Sequence, residues 1–153
     1  MKKSIVFLLL VFMVMVSVSP LATAGPAPAL TKVDIAAFTA ENYSNQWQKT
    51  PTSYPKSMSG YSFSGPVLYM AVVYTGYPNW NLTFIKINGN QFRHSEIPSE
   101  RVNLVSGGVI VGYEVHYKIP KAQLSSSNTI SVNSSGTNGG SGSSVSTNIK
   151  FVK

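Results

Sequence analysis

Alternation between apolar and polar residues dominates the chain from residue 31 onward, in short runs separated by Gly, Pro, Asn and Ser. In the clearest run, 109–119, the odd-numbered positions are Val, Tyr or Ile, and the even-numbered positions include Glu114, His116 and Lys118. Because residues two apart on a strand share a face, this run predicts a strand with one buried and one solvated face. Residues 67–75 are apolar on both faces and predict a central strand that is covered on both sides.

Six further β-prone runs continue the pattern, at 33–38, 82–87, 91–97, 101–105, 129–133 and 145–152. Asn88-Gly89 predicts a tight hairpin between two of them, because both central residues of a type I′ turn need a positive φ. Gly107-Gly108 predicts another turn. The last run also alternates, and we expect four of its residues to face inward: Val145, Thr147, Ile149 and Phe151.

The segments between the runs predict connections. Residues 39–48 predict either a short helix or an irregular loop, residues 50–60 a long connection, and residues 76–79 a turn. Residues 134–144 hold no apolar side chain and predict a flexible loop. About eight strands without an internal repeat predict an all-β fold, a single antiparallel β-sandwich of jelly-roll or immunoglobulin-like type over residues 31–153.

The first 24 residues have the pattern of a secretory signal peptide. Lys2 and Lys3 precede an apolar run at 5–16, and Ala22-Thr23-Ala24 forms a small-x-small cleavage site. The apolar run is shorter than the roughly 20 residues of a membrane-spanning helix, so we expect cleavage after residue 24, with retention as an N-terminal anchor as the alternative. Residues 25–30 then predict a Pro/Ala tether, and the domain is expected in the extracellular or cell-wall space without integral membrane association.

Composition narrows the possible chemistry. The chain has no cysteine, which excludes a disulfide scaffold, a thiolate zinc site and a cysteine nucleophile. Without residues 1–24, which contain two lysines, 10 Lys and Arg residues stand against 5 Asp and Glu residues, a net charge of +5. The cations are spread singly along the sequence, which favours a dispersed, solvated surface over a dedicated polyanion groove. A cationic field of this size still favours anionic surfaces.

Four residues are candidates for catalysis or metal binding. In His94-Ser95-Glu96 and Glu114-Val115-His116, the first and third residues would share a strand face. If the two strands were adjacent, the two imidazoles and two carboxylates could form a metal site or a histidine base. The alternative is that they are solvated residues that pair with nearby arginines. No Gly-x-Ser-x-Gly motif is present, and we expect no metal and no cofactor.

Aromatic residues flanked by amides are the candidate binding residues. Sugar rings stack on aromatic faces while their hydroxyls bond to Asn and Gln, so these residues predict a carbohydrate platform. The alternative is that each tryptophan packs at an end of the sandwich. The predicted ligand-binding residues are Trp47, Tyr77, Asn79, Trp80, Asn81, Asn45 and Gln48.

A short pattern near the C-terminus is similar to a known class of modules. Ile119-Pro120, Leu124 and the run Asn128-Thr129-Ile130-Ser131-Val132, with Lys86-Ile87-Asn88-Gly89 before them, resemble the closing segment of secreted bacterial jelly-roll and immunoglobulin-like accessory modules. Many of those modules bind sugars. The resemblance implies a sandwich and carbohydrate binding, but it assigns no binding residue.

Together these features predict a secreted, non-catalytic binding module. The expected partner is a polysaccharide or an anionic cell-surface polymer of the cell envelope, with no nucleic acid, and the expected state is a monomer. Two alternatives stay open. One is a small secreted hydrolase or metal-dependent enzyme that uses His94, Glu96, Glu114 and His116. The other is an extracellular matrix or self-assembling surface protein, for which an exposed edge strand would be the sign.

Overall fold

The computed structural model describes residues 26–153, so the predicted signal peptide lies outside the described residues. Eight strands have four or more residues and three are shorter, which confirms the predicted all-β sandwich. Three single-turn 3₁₀ helices lie at Glu41–Tyr43, His94–Glu96 and Lys121–Gln123. The strands are β1 (Lys32–Thr39), β2 (Gln48–Lys49), β3 (Lys56–Ser57), β4 (Ser62–Ser64), β5 (Val67–Thr75), β6 (Pro78–Ile87), β7 (Asn90–Arg93), β8 (Ser99–Ser106), β9 (Val109–Pro120), β10 (Ser127–Gly136) and β11 (Ser141–Val152).

The strands form two packed sheets. The first sheet has the order β2-β1-β5-β9-β8 and is antiparallel throughout. The second sheet has the order β3-β11-β10-β6-β7, and β4 also pairs with β11. In the second sheet only the short strands β3 and β4 run parallel to their partner. Among residues 26–153, no helix is long and apolar enough to span a membrane.

The inner faces of the two sheets form the core. Tyr113, Val115, Tyr117 and Ile119 of β9 are buried, as the alternation predicts. They pack with buried residues of β5 and of the second sheet, including Ile85, Val132 and Phe151. Full burial of an aliphatic or aromatic side chain contributes about 1.5–3 kcal/mol, so this cluster supplies the main stabilisation of a domain without disulfides.

The predicted alternation fails at the start of β9, where Val109 is 60% exposed and Ile110 packs against the core. Leu104 pairs with Gly112 and Val105 with Ile110, so β9 has one extra residue here, and this bulge reverses which residues face inward.

Both predicted glycine turns are present. Asn88 and Gly89 have positive φ values of 52° and 88°, and the flanking residues pair directly as a two-residue hairpin between β6 and β7. Gly107 and Gly108, with φ values of 56° and 79°, connect β8 and β9 in the same way. These positions require the left-handed region, which Gly and Asn adopt at the lowest cost.

The inward residues of β11 differ from the prediction in the first half of the strand. Ile149 and Phe151 are buried as expected, but Ser144 and Ser146 are buried in place of Val145 and Thr147. A β-bulge causes the difference. Asn128 pairs with Ile149 and Ile130 with Ser146, so β11 has one extra residue at this point, and Asn148 takes a φ of 56°. On the N-terminal side of the bulge, the extra residue turns the even-numbered positions of β11 inward in place of the odd-numbered ones.

The buried serines of β11 are hydrogen-bonded. The Ile35 amide donates to the Ser144 hydroxyl at 3.0 Å, and the Ser146 hydroxyl donates to the Lys56 carbonyl at 3.1 Å. Buried hydroxyls need such partners because an unpaired polar group is costly in the core. These bonds join β11 of the second sheet to β1 and β3 and close one side of the sandwich.

Most of residues 134–144, predicted to be a flexible loop, belong to strands. β10 extends to Gly136 and β11 begins at Ser141, which leaves a turn of only four residues at 137–140. This turn forms hydrogen bonds with residues 26–30, the described part of the predicted tether. The Leu30 amide donates to the Gly139 carbonyl at 3.2 Å, and the Asn138 amide side chain donates to the Ala27 carbonyl at 2.8 Å. Residues 26–30 therefore lie against the sandwich.

Glycines make room for this N-terminal segment. Leu30 is only 1% exposed, and a Cβ on Gly140 would lie 2.0 Å from the Leu30 carbonyl oxygen. A Cβ on Gly76 would lie 2.0 Å from the carbonyl oxygen of Ala29. No side chain tolerates such a contact with backbone, so glycine is required at these two positions.

A lysine buried at the edge of the sandwich joins strands of different sheets. Lys56 of β3 is 4% exposed, and its ammonium lies 2.6 Å from Asp34 Oδ1 of β1. It also donates to the Ile35 carbonyl and to the Thr50 hydroxyl, both at 2.9 Å. Burial alone raises the pKa of the Asp34 carboxyl, but hydrogen bonds from Lys56, Tyr54 and Lys32 outweigh burial and lower it. The carboxylate therefore stays ionised and partners the buried ammonium.

We expect Gly140→Ala to destabilise the domain more than Gly139→Ala. Both glycines have left-handed φ values, 79° and 85°, but a Cβ at position 139 meets nothing within 4 Å. Gly139→Ala is the control, and it should lower the free energy of unfolding by about 1–2 kcal/mol through backbone strain alone. Gly140→Ala should lower it by at least about 2 kcal/mol more, because Leu30 must move. Urea unfolding monitored by circular dichroism measures both. Equal costs would show that the N-terminal segment is not packed as described.

We expect Asp34→Asn to lower the free energy of unfolding by about 2 kcal/mol at pH 7, because it leaves the Lys56 ammonium without its ion partner. The folded-state pKa of Asp34 is below the unfolded-state value. The stabilisation is therefore full above the unfolded-state pKa, near 3.9, and is lost as the pH falls through the folded-state pKa.

Unfolding of the wild type and of Asp34→Asn between about pH 2 and pH 7 tests this dependence. The difference between the two proteins should disappear at the acid end. Glu41→Gln is the control, because Glu41 is exposed and forms no ion pair within residues 26–153. A difference that persists unchanged at the lowest pH would refute the role of the ionised carboxylate.

Candidate functional site

The outer face of the first sheet brings polar and aromatic side chains together. Across β1, β5, β9 and β8 one row in register reads Ala37, Ala71, His116 and Glu100. The next row reads Thr39, Tyr69 and Lys118. His116 and Lys118 alternate with the buried residues of β9, so they face away from the core. Directly opposed residues share a face of the sheet, and both rows therefore lie on this outer side.

Trp47 covers this face from the loop before β2. Ser44 and Asn45 have positive φ values of 50° and 60°, and the Gln46 amide donates to the Tyr43 carbonyl at 2.9 Å, so the chain turns sharply here. The Trp47 ring lies on the His116 ring with a centroid distance of 4.8 Å and remains 37% exposed. The loop thereby places an exposed aromatic ring over strand β9.

These residues enclose an open pocket of about 310 Å³. Two aromatic rings, Trp47 and Tyr69, supply its apolar surface. Amide, hydroxyl, imidazole, ammonium and carboxylate groups supply its polar surface. The lining residues are Thr39, Asn45, Trp47, Tyr69, Glu100, His116 and Lys118.

The charged groups in and beside the pocket are paired. The Lys118 ammonium lies 2.5 Å from Glu100 Oε1, and His116 Nε2 lies 2.6 Å from Glu114 Oε1. The hydrogen bond with Lys118 lowers the pKa of Glu100, and the same bond raises the pKa of Lys118. Paired charges present hydrogen-bond donors and acceptors without a strong net field, which suits an uncharged polar ligand.

One pocket hydroxyl has no hydrogen-bond partner. Thr39 is 2% exposed, and its Oγ1 is buried without a partner within the described residues. An unsatisfied buried hydroxyl costs about 1–3 kcal/mol. Because this oxygen is buried, it does not offer a contact to a ligand in the pocket.

Trp80 lies elsewhere, inside a β-bulge of β6. Residues 76–79 were predicted to form a turn, but β6 already begins at Pro78. Ser134 pairs with Thr83 and Gly136 with Pro78, so β6 has three more residues than β10 between these pairs. The Thr83 hydroxyl donates to the Asn79 carbonyl at 2.9 Å, which stabilises the bulge.

The bulge turns Trp80 toward the core. Its ring packs on His94 at 4.7 Å, Tyr74 at 5.4 Å and Tyr113 at 5.5 Å between centroids. The Arg101 guanidinium lies over the Trp80 ring at 5.3 Å. Trp80 and Trp47 therefore lie on opposite faces of the first sheet and do not form one platform.

The other predicted binding residues also fall into two groups, one near Trp80 and one near Trp47. Tyr77 packs on Tyr113 at 5.4 Å, and the Asn79 side chain accepts a hydrogen bond from the Asn81 amide at 3.1 Å. Asn45 lines the pocket beside Trp47, and Gln48 lies next to it in β2 with its side chain bonded to the Gln46 carbonyl. Sequence reasoning thus placed two residues in the pocket.

The remaining pocket residues were not predicted to bind ligand. His116 was a candidate for catalysis or metal binding, and Thr39, Tyr69, Glu100 and Lys118 were not singled out for binding. The alternation of β9 already placed His116 and Lys118 on the solvated face. What the sequence lacked was the register that sets Tyr69 and Glu100 beside them.

The four candidate catalytic residues do not converge. His94 and Glu96 lie in a 3₁₀ helix and not in the predicted strand. His94 Nδ1 is hydrogen-bonded to the Tyr117 hydroxyl, on the inner face of β9, whereas Glu114 and His116 lie on its outer face. Within residues 26–153, no three His, Cys, Asp or Glu side chains are placed to hold a metal ion.

His94 begins a buried chain of hydrogen bonds. Its Nδ1 lies 2.8 Å from the Tyr117 hydroxyl, which lies 2.8 Å from the Tyr74 hydroxyl. Burial, and then the nearby charge of Arg101, lower the pKa of His94. Burial raises the pKa of both tyrosines. The neutral forms are favoured throughout, as expected for a polar network that packs the core.

Fold and site together define a disulfide-free β-sandwich protein with an aromatic surface pocket. The chain belongs to the family described as a domain of unknown function (DUF4879), which matches residues 25–151. No curated protein and no solved structure shows significant similarity to the chain.

We expect His94 to titrate below pH 6.5, the ordinary value for histidine. The stability that neutral His94 contributes should be present above that pH and lost as the pH falls through the folded-state pKa. Arg101→Gln should raise the pKa of His94, because it removes a nearby positive charge. NMR titration of the imidazole resonances measures both values, and a His94 pKa at or above 6.5 would contradict the buried network.

Proposed function

We propose that this chain is an exported, non-catalytic module that binds a polysaccharide of the cell envelope. The observation that carries the proposal is the pocket beside Trp47, where an exposed indole and Tyr69 lie among paired polar groups. An open site with aromatic and hydrogen-bonding surfaces is suited to a sugar ring, which has apolar C–H faces and hydroxyl edges.

The polar groups of the pocket match those edges. Asn45 offers an amide, and the Lys118–Glu100 pair offers a donor beside an acceptor. Their charges are compensated within the pocket, which favours a neutral saccharide unit at this position over an acidic one.

Export and the absence of catalysis complete the proposal. The signal-peptide pattern at residues 1–24 supports an extracellular or wall-bound location. The separation of His94 and Glu96 from Glu114 and His116 leaves the four-residue catalytic arrangement unassembled. Binding, and not turnover, is the function that this geometry supports best.

Self-assembly is the second candidate, and strand β8 favours it. This edge strand of the first sheet is exposed along nearly its whole length, and its Val102 and Val105 are 52% and 60% exposed. The strand also carries Glu100 and Arg101, and charged side chains on an edge oppose pairing with another chain. We therefore keep polysaccharide binding as the conclusion.

We expect Trp47→Ala to weaken binding to insoluble cell wall, chitin or cellulose about tenfold, because it removes the main stacking surface. Tyr54→Ala is the matched control, since Tyr54 is 54% exposed but does not line the pocket. Pull-down with increasing polysaccharide measures the affinities, and thermal unfolding checks that both variants are folded. If Trp47→Ala bound all three materials like the wild type, the proposed site would be wrong.

A further inference from the structure

The acidic residues that lie in strands all belong to the first sheet, although acidic and basic residues are mixed along the sequence. The strands of the first sheet contain Asp34, Glu100 and Glu114 alongside their cations. The strands of the second sheet contain no Asp or Glu at all. Their charged residues are all cationic: Lys56, Lys86, Arg93 and Lys150.

Lys56 points into the protein, but the other three lie on the outer face. Ile85 and Ile87 of β6 are buried, so Phe84 and Lys86 face outward. The pairing of β7 with β6 places Arg93 opposite Phe84 and Gln91 opposite Lys86. Two rows in register result: Arg93, Phe84, Asn133 and Ser143, and beside them Gln91, Lys86, Ser131 and Val145.

These outer cations lack ion partners. Within residues 26–153 the lysines and arginines found in ion pairs are Lys32, Lys56 and Lys118, and none of them lies on this face. Glu96 is the nearest carboxylate along the chain, and it accepts a hydrogen bond from the Arg93 amide. The guanidinium of Arg93 and the ammonium of Lys86 therefore remain available to an anion.

Between the cations and β11 the face is concave and rich in hydroxyls. A shallow groove of about 560 Å³ crosses β6, β10 and β11. Its floor includes one aromatic ring, Phe84, and the polar side chains of Asn133, Ser135, Ser141 and Ser143. Hydroxyls and an amide beside one ring can bond and stack a sugar, while the adjacent cations can bind its acidic group.

We propose that the outer face of the second sheet binds an anionic polysaccharide, with Lys86 and Arg93 binding its acidic groups and Phe84 and the groove binding its sugar rings. A surface that binds nucleic acid has several aromatic rings for stacking and a cluster of positive charges. This face has one aromatic ring and two adjacent cations, which favours a polysaccharide over a nucleic acid. The proposal does not depend on the Trp47 pocket, which lies on the outer face of the other sheet.

The test compares two variants of equal charge. Lys86→Gln combined with Arg93→Gln removes both cations of the face. Lys49→Gln combined with Lys121→Gln removes two exposed cations from β2 and from the 3₁₀ helix at Lys121–Gln123. Binding of labelled polygalacturonate to the purified chain is measured at low ionic strength, where exposed charges act most strongly.

We expect the Lys86/Arg93 variant to lose about tenfold in affinity, the Lys49/Lys121 variant to bind nearly as the wild type, and neutral dextran to bind weakly to all three. Equal losses in both variants would show that net charge governs binding and would overturn the proposal. So would tighter binding of the wild type to single-stranded DNA or to phosphatidylglycerol vesicles than to polygalacturonate.

Two further variants separate the contributions. Phe84→Ala should weaken binding to polygalacturonate but not to polyphosphate, which has no ring to stack. An equal effect of Phe84→Ala on both polymers, or none on polygalacturonate, would refute sugar recognition by the groove. Trp47→Ala should leave polygalacturonate binding unchanged, so a failure of the Trp47 pocket and a failure of this face give different results.

Discussion

The register between β5 and β9 is the constraint on which the rest of the structure depends. Met70 pairs with Tyr117 and Val72 with Val115, so the inner faces of both strands enter the core together. The same register sets Tyr69 beside Lys118 on the outer face. A slip of one residue would exchange these faces. The core and the candidate pocket are therefore two consequences of one pairing.

The domain reaches a closed sandwich without disulfides by polar contacts at its edges. Lys56 of β3 forms an ion pair with Asp34 of β1, and the buried hydroxyl of Ser144 accepts a hydrogen bond from the Ile35 amide. At one end, the segment that contains Leu30 packs on glycines so closely that no Cβ fits between. A chain without cysteine gains its stability from the core and from such contacts.

The two outer faces differ in chemistry although the strands that form them alternate in the same way. On the first sheet, acidic and basic residues face each other across β8 and β9 and are paired beside an exposed indole. On the second sheet, cations lie among serines and amides with no strand carboxylate to pair with. Under the two proposals, the first of these faces binds neutral sugar and the second binds acidic sugar.

The sequence by itself determined the features that depend on neighbouring residues. The period of two in β9 from Tyr113 onward, the Asn88-Gly89 hairpin and the all-β class follow from local patterns, and the structure has all three. Trp47 and Asn45 were predicted to bind a ligand because amides flank an aromatic residue, and the structure places both in the pocket. Only the tertiary structure decided the phase of β11, the inward position of Trp80 and the separation of His94 from His116. The bulge in β6 arises from pairing with β10, a strand distant in the sequence, whereas the bulge at Asn148 arises between the consecutive strands β10 and β11. The segregation of charge arises from sheet order. Pairing between strands, which the pattern of one strand does not encode, fixes these features.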